Sequence, residues 1–395
     1  MADAPPSRST GRPRRRGVPE GHLAIHEIGA DFARRERDLL RRAAARGMTR
    51  REFLAFLAAA GAVSAAPGAA AGLSASAWAA AGAASAAPGA AAGPVPAERS
   101  EAGLPAGAPP AAAPAKSRVV VVRNPEVLVR GYRANPPVVR QMLDRAVLEL
   151  TGAKTEAAAW QAVAREGDFV AVKHNTMGFP TLHSHTEIND AVSVALVDLA
   201  KVKVDSVLVV DRMDVPEPYD EFSEPFTLPS NRIVTHLRRL YTDKATAIIN
   251  ISVLKTHFGE GISGALKNHL GSVNNPAAYH GWQPGEMPRN LPELNALEPL
   301  RTKTRLCILD AIRPLFAGGP ADDEAYRWDF HGLIVGTDPV AVTAVGMRIL
   351  EAKRAESRGK PWPMTAARQL VAYAQKIGLG AADPERIDLV EVKAG

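Results

Sequence analysis

The sequence predicts an α/β fold: a mostly parallel sheet flanked by helices, preceded by a long segment outside the fold. Three observations carry this reading. Short apolar runs such as "SRVVVVR", "GDFVAVKHN" and "ATAIINISVLK" lack the polar alternation of a sheet with one wet face. Segments with helical spacing lie between such runs, as in an α/β architecture. Composition changes sharply near residue 118, before which Ala, Pro, Gly and Arg dominate.

Taken in order, "SRVVVVR" reads as a strand. "PPVVRQMLDRAVLELTG" has helical spacing, with Pro137 near its start and Gly152 near its end. "GDFVAVKHN" is a strand and "TEINDAVSVALVDLAKV" a helix, with Thr186 as the expected N-cap. "VDSVLVVDR" and "ATAIINISVLK" are strands, and "SGALKNHLGS" is a short helix closed by Gly271. "RLCILDAI" and "GLIVGT" are strands. "DPVAVTAVGMRILEAKR" is a helix with Asp338 as cap and Pro339 at its first position. "PMTAARQLVAYAQKIGLG" adds a helix and "RIDLVEV" a last strand. The segment 216–241 fits neither period, and 274–290, rich in Pro and Gly, reads as a long loop. The whole is expected to be layered in the Rossmann-like manner.

The segment before the fold reads as an address. "MTRREFLAFLAAAGAV" sets Arg50 and Arg51 before Phe53 and Leu54, then continues uncharged and Ala-rich. This resembles a twin-arginine export signal, with Thr49 at its first position. A stable membrane span is not expected after processing. A spanning helix needs about 20 strongly apolar residues, and Pro67 and several glycines interrupt this stretch. Ala77-Trp78-Ala79 is one candidate cleavage site. The expected organisation is an Arg-rich extension over 1–47, the signal over 48–84, an Ala/Pro/Gly linker over 85–117 and the α/β domain over 118–395. Met48 is an alternative start, because the extension before it is long for a signal. The signal implies the twin-arginine translocase as a partner and a periplasmic or extracellular destination.

Charge and cysteine content exclude several functions. The net charge of +6 comes from the first 51 residues, which hold 13 Arg and 6 acidic residues. The remainder holds 35 basic and 36 acidic side chains, so nucleic acid is not an expected partner of the fold. One cysteine, Cys307, lies in the apolar run "RLCILDAI". A lone thiol makes no internal disulfide and holds no iron–sulfur cluster, and it reads as a small buried hydrophobe.

Function is sought at the strand ends, because ligands in parallel α/β sheets bind outside the carboxyl edge. The predicted strands end in Lys173-His174-Asn175, in Asp211-Arg212, in Lys255-Thr256-His257 and in Thr337-Asp338, and another contains Asp310. Lys267 and Asn268 follow on the short helix. Lys173, Lys255 and Lys267 supply positive charge for a small anion, a carboxylate or a phosphate. Gly259, Gly261 and Gly264 would let backbone N–H groups approach it at a helix N-terminus. A desolvated Lys255 and His257 are the candidate catalytic pair.

"GEGISG" matches a dinucleotide fingerprint, but four residues separate it from its strand and a Pro/Gly loop follows, so NAD is not expected. A metal ion is a candidate cofactor. "HSH" sets His183 and His185 where two imidazoles face one ion, with His257 or Asp211 as a third ligand.

Four ordered segments carry a family resemblance. "IINISVLKTHFGEGISGALKNHLGSV", "FVAVKHN", "ILDAIRPLFAGGP" and "GLIVGTDPVAVTAVGMRIL" resemble segments of the domain-of-unknown-function 362 family, over about residues 118–395. His174 stands where the family pattern has Pro, and Thr343 where it has a second Asp. The resemblance implies ligand-binding roles for Lys173, Asn175, Thr256, Lys267, Asn268, Asp310, Gly319 and Asp338, alongside Lys255 and His257. Many family members carry ferredoxin-type cysteine clusters. This chain has no such cluster, so iron–sulfur chemistry is not implied. An exported enzyme acting on a small anion, and a non-catalytic exported metal- or ligand-binding protein, are both open.

Overall fold

The computed structural model describes residues 116–130, 132–178, 181–280 and 287–394. The expected extension, the expected export signal and nearly all of the expected linker lie outside the described residues. The elements that position the site are strands β1 (Ser117–Arg123), β2 (Val170–Lys173), β3 (Val207–Val210), β4 (Ala247–His257), β5 (Gly261–Ser263), β6 (Thr304–Leu315), β7 (Gly332–Gly336) and β8 (Ile387–Lys393). The helices are α1 (Pro136–Thr151), α2 (Glu156–Val163), α3 (Thr186–Asp198), α4 (Ala265–Asn268), α5 (Met287–Asn295), α6 (Glu298–Lys303), α7 (Pro339–Arg358) and α8 (Thr365–Lys376).

The strands form one sheet in the order β8-β1-β7-β6-β4-β2-β3, with β5 paired to β4. β8 and β1, β6 and β4, β4 and β2, and β2 and β3 are parallel pairs. β7 runs against both its neighbours, and β5 folds back on β4 as a hairpin. The sheet is thus mixed and mostly parallel, with helices on both faces.

Alternation along the strands sorts two cores. Ala247, Ile249 and Ile251 of β4 pack with α1, α2 and α3 through Met142, Trp160 and Ile188. Ile248 and Leu254 pack on the other face with α5, α6, α7 and α8 through Leu291, Leu300, Leu350 and Leu370. Both faces of the sheet are therefore dry, which is why its central strands read as unbroken apolar runs.

Several elements differ from the sequence reading. α2 was not expected, although Thr155 caps it by accepting from Ala158 N at 3.2 Å. Thr186 is the first helical residue of α3 rather than its cap. His185 takes the N-cap position, without a capping hydrogen bond from its side chain. α5 begins inside the expected loop, at Met287. The segment that fits neither period forms a small hairpin, Phe226–Thr227 against Val234–Thr235. α4 has only four residues before a 3-10 turn over His269–Ser272. It is too short for an anion site at its N-terminus, because a macrodipole needs aligned peptide units over several turns.

Other expectations hold. Gly152 closes α1 at φ 66° with its N–H on Leu148 O. Asp338 caps α7, accepting from Val340 N and Ala341 N at 2.8 and 3.0 Å, with Pro339 at the first position. Among the described residues no helix is long and apolar enough to cross a membrane.

Candidate functional site

β2, β3 and β4 point their carboxyl ends the same way, and a cavity of about 80 Å³ opens there. The charged side chains lining it are Lys173, Lys255, Lys267, Arg212 and Asp211, joined by His257 and His280. The sheet therefore gathers Lys173, Asn175, Asp211, Lys255, His257, Lys267 and Asn268, as the strand-end argument expects.

Lys173 is fully buried and all three of its donors are used. Nζ donates to His174 O at 2.6 Å, Asp211 Oδ1 at 2.7 Å and Asn268 Oδ1 at 3.3 Å. Asp211 also accepts from Thr176 N and Thr176 Oγ1, at 2.7 and 2.5 Å. Burial opposes ionisation of Asp211, but Lys173, joined by the other groups around it, outweighs burial and holds the carboxyl well below its usual range. Gly271 makes room for this pair. A Cβ there would meet Asp211 Oδ1 and Lys173 Cε, each at 2.7 Å.

Asn268 staples α4 to the sheet. Its Nδ2 lies within donating distance of Lys173 O, Asn250 Oδ1 and Ile251 O, at 3.1, 2.8 and 3.0 Å. These bonds bind strand to helix, so Asn268 builds the wall of the cavity more than it offers a ligand group.

Lys255 is likewise anchored. Nζ donates to Met177 O at 2.6 Å, Leu182 O at 3.0 Å and Asn175 Oδ1 at 3.4 Å. Its acceptors are all uncharged. Burial, reinforced by the charge of Lys267, brings its pKa down to about 7. Lys255 thus ties the segment after β2 to the end of β4 and carries an amine that is easily deprotonated.

The turn between β4 and β5 supplies a group that the sequence reading missed. Glu260 is completely buried. Its Oε2 contacts His257 Nδ1, and its Oε1 lies 3.7 Å from both Lys267 Nζ and His280 Nε2. Lys267 Nζ is 3.3 Å from His280 Nε2. Yet neither Glu260 oxygen has a hydrogen-bond partner of good geometry among the described residues. At His257, Gly259 N–H donates to Nδ1 over 3.2 Å, so the one in-plane lone pair of this nitrogen is engaged by the backbone and no Nδ1 proton is offered to the carboxylate.

Burial and the nearby Lys267 push His257 down to about 4, which leaves it a neutral imidazole near pH 7. Burial opposes ionisation of Glu260, but Lys267, His257 and His280 together outweigh it and keep the group anionic. Burial lowers the pKa of Lys267 against the pull of Glu260. The only cue to Glu260 in the sequence was an acidic residue inside "FGEG". The glycines around it drew attention to the backbone instead. In the fold that run makes a β-hairpin, not a strand-to-helix phosphate turn.

Other expected residues serve the frame. Gly319 N donates to Thr256 Oγ1 at 3.0 Å, and a Cβ on Gly319 would lie 1.9 Å from Thr256 O. Only glycine allows these two backbones to approach so closely. Asp310, on the central strand, accepts from His185 N at 2.8 Å and pairs with His185 Nδ1 at 2.7 Å.

Two expectations are not met by the placement. Asp338 does not reach the cavity edge: β7 is antiparallel, so its carboxyl end lies at the opposite side of the sheet. Asp338 there accepts from Ser117 Oγ, at the start of β1, over 2.6 Å. The His183–His185 pair is not drawn together with His257 or Asp211. His183 Nδ1 faces Ser184 O at 2.8 Å, and His185 is committed to Asp310. Among the described residues, the His, Cys, Asp and Glu ligand atoms that come together are those of His257, Glu260 and His280, all within 4.8 Å of one another.

Comparison with known proteins adds one finding. Residues 220–348 match the family model "Domain of unknown function (DUF362)". The match takes in Lys255, Thr256, His257, Lys267, Asn268, Asp310, Gly319 and Asp338 but stops short of Lys173, Asn175, His183 and His185. The resemblance read over 118–395 is thus matched over its middle part. No curated protein and no solved structure matches the chain.

Proposed function

We propose that this is an exported α/β protein that binds a small anion, a carboxylate or phosphate, at the carboxyl ends of β2, β3 and β4, and acts on it as an enzyme. One observation carries the reading: four cationic side chains and one carboxylate line the cavity. Asp211 is already paired to Lys173. Glu260, just behind, faces Lys267 at 3.7 Å and leaves an excess of positive charge in a desolvated place. Uncompensated buried charge is costly, and a bound anion relieves it. Size limits the guest. An engineered cavity of about 150 Å³ accepts benzene, so the 80 Å³ here suits a phosphate or a short carboxylate, not a nucleotide. Lys267 is the primary anchor, because its contacts with His280 Nε2 and Glu260 Oε1 leave an N–H for a further acceptor. Lys255 and His257 are the groups placed to move a proton.

A non-catalytic binding protein is the second reading. It is favoured by the full hydrogen bonding of Lys173 and Lys255, which suits a rigid receptor. Calorimetric titration of the purified chain with phosphate and with small mono- and dicarboxylates tests both readings. Binding that is lost in Lys267→Met supports the anion site, and chemical change of the bound anion, lost in His257→Gln, selects the enzyme. No binding of any anion by folded protein would remove the reading. The export proposal rests on Arg50 and Arg51 in "TRREFL". Retention of an Arg50→Lys/Arg51→Lys variant in the cytoplasm, with wild type exported, is the expected outcome.

A further inference from the structure

We propose that His257, Glu260 and His280 form a binding site for one divalent transition-metal ion at the rim of the cavity. The site shares His257 with the anion proposal and borders its anchor Lys267, but does not rest on it. Three facts converge. The ligand atoms of the three side chains lie within 4.8 Å of one another, close enough to reach a common ion. Glu260 is 0% exposed and both its oxygens lack a hydrogen-bond partner among the described residues. A buried carboxylate is costly unless cations meet it, and Lys267 Nζ stands 3.7 Å from Oε1, beyond hydrogen-bond distance, so a closer cation is favoured.

The third fact concerns the tautomers. His280 Nδ1 lies 3.0 Å from Pro276 O, an acceptor, so the ring proton sits on Nδ1 and Nε2 presents its lone pair. A backbone carbonyl holding the far nitrogen of an imidazole is the usual outer support of a metal-bound histidine. At His257 the Gly259 N–H marks Nδ1 as the unprotonated nitrogen beside Glu260 Oε2, and an ion bound through it takes the place of that weak backbone hydrogen bond. Two acceptors in contact repel unless a proton or an ion stands between them.

Two imidazoles and one carboxylate suit Zn²⁺, Mn²⁺, Fe²⁺, Co²⁺ or Ni²⁺ and disfavour Ca²⁺ and Mg²⁺, which take oxygen donors. Three protein ligands leave coordination positions open, as in catalytic rather than structural sites. Lys267 Nζ reaches the same acceptors, His280 Nε2 at 3.3 Å and Glu260 Oε1 at 3.7 Å. Ammonium and metal ion therefore compete for this corner, and removing the ammonium should tighten the metal.

The test uses the full chain, stripped with EDTA and dialysed into phosphate-free buffer. It is titrated with Zn²⁺ by calorimetry and with Co²⁺ by visible absorption. One ion per chain is expected, with ligand-field bands for Co²⁺. Glu260→Gln and His280→Gln should each weaken binding by more than about 100-fold, beyond the loss of a supporting residue alone. Lys267→Met should bind several-fold tighter. Circular dichroism checks that each variant is folded. Should Glu260→Gln fail to fold, the surface-near His280→Gln and Lys267→Met still decide. Folded wild type that takes up no ion at millimolar metal would overturn the proposal. So would uptake that persists unchanged in the folded variants, or a Lys267→Met variant that loses the ion. Phosphate titration of the same stripped sample is read separately, so either site can fail alone.

Discussion

Lys173 Nζ lies 2.7 Å from Asp211 Oδ1, with the two side chains 1% and 5% exposed, and so joins the carboxyl ends of β2 and β3 inside the protein. Removing one partner leaves the other charged in a place that water does not reach. Lys173→Met should destabilise the fold by about 3–5 kcal/mol. Lys173→Met/Asp211→Asn should recover part of that loss, because the lone carboxylate is gone. Urea unfolding of the three proteins checks this. Equal losses in the single and double variants would mean that the cost is packing, not charge.

Gly319 is held by shape. The Cβ of an alanine would meet Thr256 O, a backbone atom that cannot swing aside. Overpacking of this kind costs about 1–3 kcal/mol or more. The control is Gly359→Ala, at φ 66° with nothing within 4 Å of its Cβ, where only backbone strain of about 1–2 kcal/mol is at stake. Thermal unfolding should rank Gly319→Ala below Gly359→Ala, and only the former should perturb anion binding, through the end of β4. The reverse ranking would refute the steric reading.

Much of the fold was legible because its strands are buried on both faces and its helices carry plain start and stop residues. Asp338-Pro339 and Gly152 are such signals. Strand direction was not legible. "GLIVGT" has the same apolar character either way round, and its reversal carries Asp338 to the far edge. Lys173, Lys255 and Lys267 were legible as a group, since two apolar strands end in lysine at one sheet edge and a third lysine follows on the short helix. Their duties were not. Which lysine is saturated by carbonyls depends on the path of the segment after β2, which no local pattern encodes. Glu260 and His280 stay invisible in sequence because 19 residues separate them and only the β4–β5 hairpin and the 3-10 turn at Pro276–Tyr279 bring them together.

The displacement of Asp338 can be tested directly. It accepts from Val340 N, Ala341 N, Ser117 Oγ and Ala381 N, the last at 2.8 Å. Asp338→Ala should cost at least the roughly 1–2 kcal/mol of a lost N-cap, while leaving anion affinity unchanged in calorimetry. A large drop in affinity from the folded variant would place Asp338 in the site after all.

His185 and Asp310 give the stability of the protein a pH signature. Burial opposes the charge on each, yet each outweighs that effect for the other. His185 is raised above its ordinary value, chiefly by Asp310, and Asp310 is lowered, chiefly by His185. Unfolded, the two titrate at about 6.5 and about 3.9. A lowered carboxyl stabilises fully above its unfolded pKa and loses this as pH falls through the folded value. A raised imidazole stabilises fully below its unfolded pKa and loses this as pH rises through the folded value. Both contributions are complete only between about pH 4 and about pH 6.5. The stability gap between wild type and Asp310→Asn, measured by urea unfolding, should therefore peak in that window. It should shrink toward acid as Asp310 protonates, and toward alkali once His185 loses its proton. A gap that stays flat through both limbs would mean that the contact is a neutral hydrogen bond, with the proton on His185 never coupled to folding.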